Sequence, residues 1–291
     1  MDKLSQVLKI IPESILENMR KYGINFNDVQ EIRIRINQKV IVKCTEFERV
    51  LNVVADEKCI ARIIELSSNY SLYAYEKEFK NGYITIHGGH RIGIGGHAIE
   101  ENGHIKNFSA ITYLCIRIAH EIIGCSDKIM DFIRRDGIKH TLLVSPPGCG
   151  KTTLLRDIIR NISDNDKYNV CLIDERQEIA SCYRGIPQNN IGMRTDVLDC
   201  CNKSDGLAIA VRSMSPDIIA VDEIGGMEDV EAIKYSIACG AVIIGTIHGT
   251  SVNDVKNKAH FKGLISRDYF SKIIVLSKRA GRGTIEECLS C

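Results

Sequence analysis

Residues 142–153 read Leu-Leu-Val-Ser-Pro-Pro-Gly-Cys-Gly-Lys-Thr-Thr, a short apolar run followed by a turn rich in proline and glycine. The apolar run indicates a buried strand, and the apolar spacing over residues 154–162 indicates a helix. Strand, glycine loop and helix in this order form the context of a phosphate-binding P-loop, whose backbone N–H groups surround a phosphate at the positive end of the helix. The sequence therefore predicts a nucleotide-binding protein.

Positions within this loop have distinct expected roles. Lys151 is expected to reach the β- and γ-phosphates of ATP, and the hydroxyl of Thr152 to ligate Mg²⁺. The first glycine of the consensus G-x-x-x-x-G-K-[ST] is replaced by Ser145, at a position that mainly shapes the turn. A chance Gly-Lys-Thr in an ordinary turn is the alternative, which the flanking pattern disfavours. The residues expected to contact the nucleotide are Pro147, Gly148, Cys149, Gly150, Lys151, Thr152 and Thr153.

Length and composition are those of an ordinary globular protein with room for two domains. The chain has 291 residues, of which 44% are hydrophobic and 26% charged, and a net charge of +1. This balance creates no field that would point to nucleic acid or to an acidic membrane surface. No apolar run approaches the roughly 18–20 residues that span a bilayer. We therefore expect no nucleic-acid partner and only peripheral membrane contact.

Cysteine and histidine are frequent enough to raise the question of a metal site. The 12 cysteines are scattered along apolar runs, and with a P-loop and no secretory leader we expect reduced cytosolic thiols. Cys200-Cys201 and Cys288-x-x-Cys291 have poor spacing for zinc. No acidic ligand lies at suitable spacing from His87, His90 and His97. We therefore interpret these histidines as polar residues of a hairpin rather than as metal ligands. Mg²⁺ at the P-loop is therefore the only metal expected.

Two domains are predicted from the patterning. Residues 1–125 combine helical spacing, at 1–25 and 57–79, with alternating strands around Arg33 and Arg35 and glycine-punctuated strands at 82–99. They indicate a small α+β domain without a catalytic constellation of its own. Residues 126–291 alternate strand and helix patterns, which is typical of a mostly parallel sheet covered on both faces. The strands predicted in it are residues 142–144, 170–173, 217–221, 241–247 and 272–276.

Three of these strands end in titratable residues. Asp174-Glu175 follows one strand, Asp222-Glu223 follows the next and His248 ends a third. Because ligands of open parallel sheets bind beyond the carboxyl ends of the strands, we expect these side chains to meet at one site. Asp222 is expected to hold the Mg²⁺ shell and Glu223 to orient and polarise the attacking water. An acidic pair that merely begins a turn is the alternative.

Further candidates are assigned less specific roles. His248 is expected to sense the γ-phosphate, or else to be a satisfied structural histidine. Glu175 and Glu178 are expected near the same edge, where they would help to place the water. An arginine, often from a neighbouring subunit, is expected to stabilise charge on the γ-phosphate. The candidates for this arginine are Arg184, Arg194, Arg212, Arg279 and Arg282.

Several long motifs resemble one known family. Residues 145–157, 173–180, 192–199 and 212–225, together with Glu-Ile-Arg-Ile-Arg near the N-terminus, are similar in order to the stage III sporulation protein AA ATPases of spore-forming bacteria. The C-terminal domain more distantly resembles secretion and pilus-motor ATPases, which implies a RecA/AAA-like P-loop NTPase fold. Their Asp box would fall on Asp174-Glu175 and their His box on residues 246–248. Their Walker B Gly-Glu is Asp222-Glu223 here.

The resemblance implies a homo-oligomeric, hexameric ATPase that uses ATP and Mg²⁺. It would work in the mother-cell cytoplasm, peripherally at the membrane, with integral-membrane components of a channel between mother cell and forespore. The N-terminal domain would supply contacts to neighbouring subunits or the channel. Two alternatives stay open: a nucleic-acid-associated P-loop ATPase, which charge and composition disfavour, and a nucleotide-gated scaffold with little turnover.

Overall fold

A computed structural model describes residues 3–71, 75–80, 82–101 and 103–291. The chain forms two compact units. The first contains Met1–His120 and Ser181–Gln188, and the second contains Glu121–Ala180 and Asn189–Cys291. The predicted boundary after residue 125 lies five residues into the second unit. Among the described residues, no helix has the length and apolar character needed to cross a membrane.

The first unit is built on a six-stranded antiparallel sheet with the order β3-β2-β1-β6-β5-β4. Its strands are β1 (Val29–Arg35), β2 (Lys39–Cys44), β3 (Glu48–Val54), β4 (Tyr83–Thr85), β5 (Arg91–Glu101) and β6 (His104–Arg117). Its helices are α1 (Lys3–Ile10), α2 (Glu13–Lys21), α3 (Glu57–Ser67) and α4 (Glu76–Lys80). Ile32 and Ile34 alternate with arginines along β1 and are fully buried in the core of this unit, as the period of two predicts.

The helical stretch predicted over residues 57–79 is divided in the structure. Helix α3 begins at Glu57, directly after the N-cap Asp56, whose side chain accepts a hydrogen bond from the Cys59 amide, and it ends at Ser67. Asn69 and Tyr70 then have positive φ angles, which a continuing helix does not allow. Residues 72–74 lie outside the described residues, and α4 follows. The sequence pattern therefore identified the buried face but missed the break.

Residues 181–188 belong to the first unit although they follow the second unit's strand β8 in the chain. Tyr183 explains this placement, since its hydroxyl is hydrogen-bonded to Asn69 Nδ2 at 2.8 Å and to the Tyr75 hydroxyl at 3.1 Å. The side chain of Gln188 accepts a hydrogen bond from the Gly88 amide at 2.7 Å. These tertiary contacts join residues that are 100 to 114 positions apart in the sequence, which local patterning does not reveal.

The second unit contains the predicted mostly parallel sheet, with the order β13-β12-β7-β11-β10-β8-β9. Its strands are β7 (Thr141–Ser145), β8 (Val170–Asp174), β9 (Thr195–Asp199), β10 (Ile218–Glu223), β11 (Val242–His248), β12 (Lys272–Ser277) and β13 (Thr284–Ser290). Only the β12–β13 pair is antiparallel among the pairings described. The predicted α/β fold class is thus confirmed.

Helices cover both faces of this sheet. They are α5 (Asp127–Arg134), α6 (Lys151–Asn161), α7 (Lys203–Ile209), α8 (Met227–Ala238) and α9 (Val252–Asn257). Leu142 and Val144 on β7 share a core with Leu207 of α7 and Ile233 of α8. Helix α6 contacts β7, β10 and β11 and buries Leu155 and Ile158 completely. Because successive strand residues point to opposite faces, the continuous apolar runs of β7 and β10 fit burial on both sides.

The two edge strands, β9 and β13, are absent from the predicted set. Residues of β9 are only partly buried, and β13 is largely exposed. Edge strands need not be apolar on both faces, so Thr-Asp-Val-Leu-Asp and Thr-Ile-Glu-Glu-Cys-Leu-Ser carry a weak signal beside the runs of the central strands. The sequence therefore predicts the middle of the sheet better than its borders.

Candidate nucleotide-binding site

The P-loop lies between the end of β7 and the beginning of α6. Gly148 and Gly150 have φ angles of +68° and +92°, in the left-handed region that favours glycine. Ser145, at the position of the missing consensus glycine, is fully buried, and its hydroxyl donates to the Pro146 carbonyl at 2.9 Å. The serine is therefore accommodated by a local hydrogen bond, and the loop keeps its glycines where positive φ angles require them.

Lys151, His248 and Glu223 form a chain of contacts beside this loop. Lys151 Nζ lies 2.8 Å from His248 Nδ1, and His248 Nε2 lies 2.9 Å from Glu223 Oε1. A lysine ammonium only donates, so Nδ1 is the acceptor and Nε2 carries the proton that is donated to Glu223. Burial lowers the pKa of Lys151, against the opposing effect of the charges of Glu223 and Asp222.

Asp222 and Glu223 reach the same cavity because β10 is irregular at this point. Val221 pairs with Gly245 and Glu223 with Thr246, so Asp222 is an extra residue in the register with β11. Consecutive residues of a regular strand point to opposite faces, whereas a bulge re-aims them. Two adjacent acidic residues that are both expected at one site indicate such a bulge in the sequence. The apolar pattern of the strand does not indicate it.

Asp222 is buried beside other acidic residues. The residue is only 4% exposed. Burial, followed by the charges of Asp174 and Glu178, raises the pKa of Asp222 to about 6. A divalent cation would relieve this repulsion, and the carboxylate of Asp222 with the hydroxyl of Thr152 offers the oxygen ligands that Mg²⁺ prefers. The residues at the site therefore fit Mg²⁺ held jointly by protein and phosphate oxygens.

Asp174 has a different position from Asp222. It is fully buried at the end of β8, and its carboxylate accepts hydrogen bonds from the amides of Glu178, Ile179 and Ala180 at 2.8–3.1 Å. Burial raises its pKa, although these amides act in the opposite direction. Arg156 of α6 holds the same segment, donating to the carbonyls of Ile179 and Glu178 at 2.6 and 2.7 Å. Asp174 and Arg156 thus shape residues 175–180.

A cavity of about 690 Å³ opens over the P-loop, within the size range of small-molecule sites. Except for Cys149, whose side chain is buried, the predicted nucleotide-contacting residues line it: Pro147, Gly148, Gly150, Lys151, Thr152 and Thr153. Asp222, Glu223 and His248 line it as well. The ends of β10 and β11 therefore meet beside the P-loop, whereas Asp174 and Glu175 at the end of β8 do not line the cavity. That the lining residues bind a nucleotide stays a prediction.

Glu175 is the predicted catalytic residue that does not line this cavity. Its carboxylate pairs with Lys203, whose side chain is 10% exposed. Because Asp174 turns the chain directly after β8, Glu178 lines the cavity instead. Arg176 also lines it, with Nη1 3.9 Å from Glu223 Oε2. Glu178 is among the residues expected at this edge from the sequence, whereas no periodicity or motif in this loop points to Arg176.

The five candidate arginines are separated by the structure. Arg282 lines the cavity. Arg279 lies on the same turn but is bound to Glu286, with Nη2 3.0 Å from Oε2. Arg184 belongs to the first unit, where its guanidinium lies 5.5 Å from the centre of the Tyr183 ring. Arg194 and Arg212 are exposed and are not among the lining residues. Within the second unit, Arg282 is therefore the candidate at the site.

The strand order and the P-loop define a RecA-like α/β fold. The fold is similar to that of the ATPase DotB of Legionella pneumophila, with a TM-score of 0.60, 15% identity and coverage of 90% of this chain and 75% of that chain. It is likewise similar to the pilus retraction motor PilT, solved with bound ADP, with a TM-score of 0.61, 16% identity and coverage of 90% and 76%.

The chain belongs to the family described as Sporulation stage III, protein AA, whose model matches residues 1–289. It is 37% identical over 290 residues to Stage III sporulation protein AA of Bacillus subtilis (strain 168). That match covers 98% of this chain and 94% of the relative. The family resemblance predicted from the motifs is therefore confirmed.

Proposed function

We propose that the protein is an ATP-hydrolysing, homo-oligomeric motor of a secretion-like sporulation channel. The observation that carries the proposal is the convergence of Lys151, Asp222, Glu223 and His248 on one cavity above a P-loop. An ordinary strand-to-helix turn without a ligand has no need of a buried lysine, a buried aspartate and a paired glutamate at the same edge of the sheet. Groups held in this way suit phosphoryl transfer, in which positioning and charge stabilisation dominate.

Phosphate binding depends on the loop and on Lys151. The ammonium group has three N–H donors and uses one for His248, so the others remain to be donated to β- and γ-phosphate oxygens. Backbone amides from about Gly148 to Thr152 would surround the β-phosphate. Mg²⁺ held by Thr152, Asp222 and the phosphates would neutralise the charge that develops on the γ-phosphate.

Glu223 is the residue we assign to the attacking water. Its carboxylate would orient the water and accept its proton as the water oxygen bonds to the γ-phosphorus. The bond between the γ-phosphorus and the bridging oxygen breaks, which releases ADP and phosphate. His248, which donates to Glu223 and accepts from Lys151, would link the phosphate end to the carboxylate. An arginine of a neighbouring subunit would stabilise the charge on the γ-phosphate.

The biological setting is part of the same proposal. The relative from Bacillus subtilis is named as a stage III sporulation protein, and DotB and PilT are described as an ATPase and a retraction motor. These names support a sporulation setting and an ATP-driven motor. The proposal adds a hexameric ring in the mother-cell cytoplasm, bound peripherally to integral-membrane components of the channel. The first unit would provide the contacts to neighbouring subunits or to those components.

The test is ATP turnover as a function of protein concentration, with molecular mass measured in parallel. We expect turnover that rises with assembly, disappears in Lys151→Ala and is lost in Glu223→Gln while ATP binding persists. Lys262→Ala, at an exposed lysine, is the matched control. Binding without turnover at any concentration would instead favour the nucleotide-gated scaffold. A salt-sensitive stimulation by single-stranded DNA would favour the nucleic-acid-associated ATPase.

A further inference from the structure

The turn between β12 and β13, residues 278–283, lies directly against the P-loop. The Gly283 amide donates to the Cys149 carbonyl at 2.9 Å. A Cβ atom on Gly150 would come within 3.6 Å of the Gly283 nitrogen, and one on Gly148 within 3.2 Å of Lys278 Nζ. Strand β12 is parallel to its neighbour β7, so both end at the same edge of the sheet. The β12–β13 turn is therefore a fixed neighbour of the phosphate loop.

Hydrogen bonds within the hairpin brace this turn. Arg279 is bound to Glu286, and the Ser277 hydroxyl contacts the same carboxylate. The Thr284 hydroxyl donates to the Gly281 carbonyl at 2.7 Å and accepts from the Ala280 amide at 3.2 Å. Arg282 has no hydrogen bond or ion pair to any residue that the structure describes, and it lines the cavity. The turn is therefore held by other residues, and the Arg282 guanidinium is available to a ligand in the cavity.

A second, apolar part of the same cavity lies beside the first turn of α6. Ile122 lines the cavity although 57% of its surface is exposed. Its segment is tied to α6, because the Gly124 and Ser126 amides donate to the Asp157 carboxylate at 3.1 and 2.7 Å. Cys125 Sγ lies 3.7 Å from the Thr153 carbonyl. An isoleucine that remains exposed inside the cavity is a surface on which a planar apolar group can pack.

The direction of the nucleotide links these two parts. With a β-phosphate in the loop, the α-phosphate would lie towards Thr152 and Thr153, and the ribose and base would extend beyond them. The segment of Ile122 passes there, because Cys125 Sγ lies 3.7 Å from the Thr153 carbonyl and Ile122 lines the same cavity. A guanidinium stacks on aromatic faces and an aliphatic side chain packs against them, so Arg282 and Ile122 offer complementary contacts for a base.

We propose that Arg282 and Ile122 form the base-binding part of the nucleotide site and that Lys278 adds positive charge at its phosphate end. The inference rests on the proposed function and deepens it, because it assigns a base subsite within one subunit. It also gives Arg282 a role in nucleotide affinity in its own subunit, which differs from that of an arginine acting on a neighbouring subunit's γ-phosphate.

The experiment compares two ligands that share phosphates and differ in the base. Dissociation constants for a non-hydrolysable ATP analogue and for tripolyphosphate, both with Mg²⁺, would be measured by calorimetry on the full chain. Arg282→Ala should weaken the analogue roughly tenfold and change tripolyphosphate less than about twofold, since a desolvated stacking contact is lost. Ile122→Ser should do the same, whereas Lys278→Gln should weaken both ligands. Arg267→Ala, at an exposed arginine away from the cavity, is the control.

The outcomes separate this inference from the proposed function. Equal weakening of both ligands by Arg282→Ala would assign Arg282 to the phosphates and overturn the base subsite. An unchanged affinity with a reduced kcat would also overturn it, and would assign Arg282 to the γ-phosphate of a neighbouring subunit. If the wild-type protein binds tripolyphosphate as tightly as the ATP analogue, the site binds phosphates only, and the base subsite is overturned. Failure of the wild-type protein to bind either ligand would instead contradict the proposed function.

Discussion

Lys151 Nζ lies 2.8 Å from Nδ1 of His248, and the other nitrogen of that imidazole lies 2.9 Å from Glu223. A residue at the end of β11 thus joins the P-loop lysine of α6 to the acid at the end of β10. Each of these side chains comes from a different element, and each element ends or begins at the same sheet edge. The imidazole is therefore placed to couple phosphate binding to the orientation of the glutamate.

Replacement of His248 tests this coupling. In His248→Asn, the link between Lys151 and Glu223 is lost while the P-loop itself is unchanged. We expect kcat to fall about 10²-fold, in the range typical for a misplaced acid–base group, with less than about threefold change in affinity for an ATP analogue. Steady-state turnover and calorimetry measure the two effects. His260→Asn, at an exposed histidine, is the control. An unaltered kcat would assign His248 a structural role.

Asp157 is expected to make stability depend on pH. Its side chain is 1% exposed, and burial alone would raise its pKa. Hydrogen bonds from Ser126 and Gly124 and the ion pair with Arg160 outweigh burial and lower the pKa. A lowered pKa means that the folded state binds the proton less tightly than the unfolded chain. The stabilisation is therefore present above the unfolded pKa of about 4 and is lost as the pH falls through the folded value.

The corresponding measurement is the free energy of unfolding of wild type and Asp157→Asn. Near pH 7 the variant should be less stable by about 2–3 kcal/mol, because buried amide and hydroxyl donors lose a charged acceptor. The difference should narrow below about pH 4 as wild-type Asp157 becomes protonated. Asp131→Asn on α5, at an exposed position, should show neither effect. A difference that is constant with pH would contradict the assignment of the ionised carboxylate.

Glu175 and Glu178 can be told apart by matched substitutions. Glu178→Gln removes a negative charge from the cavity lining, and we expect kcat to fall about tenfold. Glu175→Gln weakens only a partly exposed pair with Lys203, so kcat should stay within about twofold. The two variants carry the same chemical change at positions three residues apart. If Glu175→Gln has the larger effect, the catalytic role predicted for Glu175 from the sequence is supported against the geometry.

The site was predictable where strand ends alone bring residues together. Lys151, Asp222, Glu223 and His248 follow apolar runs whose parallel pairing is implied by their pattern, so their meeting needs no further information. The orientation of Asp222 beside Glu223 depends on a β-bulge, which the apolar run of the strand does not predict. The position of Arg282 depends on a hairpin whose second strand is an exposed edge. Tertiary register, rather than local pattern, decides these positions.

Loop geometry after β8 shows the same limit. Asp174 was assigned to an Asp box by resemblance, which suggests a chemical role at the site. In the structure its oxygens are occupied by the amides of Glu178, Ile179 and Ala180, while Glu178 and Arg176 line the cavity. Sequence spacing cannot distinguish a carboxylate that binds backbone from one that faces solvent, because both follow a buried strand.

Asp174→Asn tests the role of these backbone hydrogen bonds. The asparagine keeps the size of the side chain but places an NH₂ group, which cannot accept, against backbone N–H donors. We expect a loss of about 2–3 kcal/mol in the free energy of unfolding and a reduced kcat, because residues 175–180 lose the acceptor that positions Glu178. Urea titration and ATP turnover provide the two measurements. Asp196→Asn, exposed on the adjacent strand β9, is the control.

The comparison with Arg156→Met makes this prediction specific. Arg156 holds the same segment through the carbonyls of Ile179 and Glu178, and its pKa is lowered by burial. Its loss leaves two carbonyls without their donor and should reduce stability and kcat in the same proportion as Asp174→Asn. Because both residues act on one loop, the double variant should be less impaired than the sum of the single ones. Additive effects would mean that Asp174 and Arg156 act independently, and the shared positioning of Glu178 would be refuted.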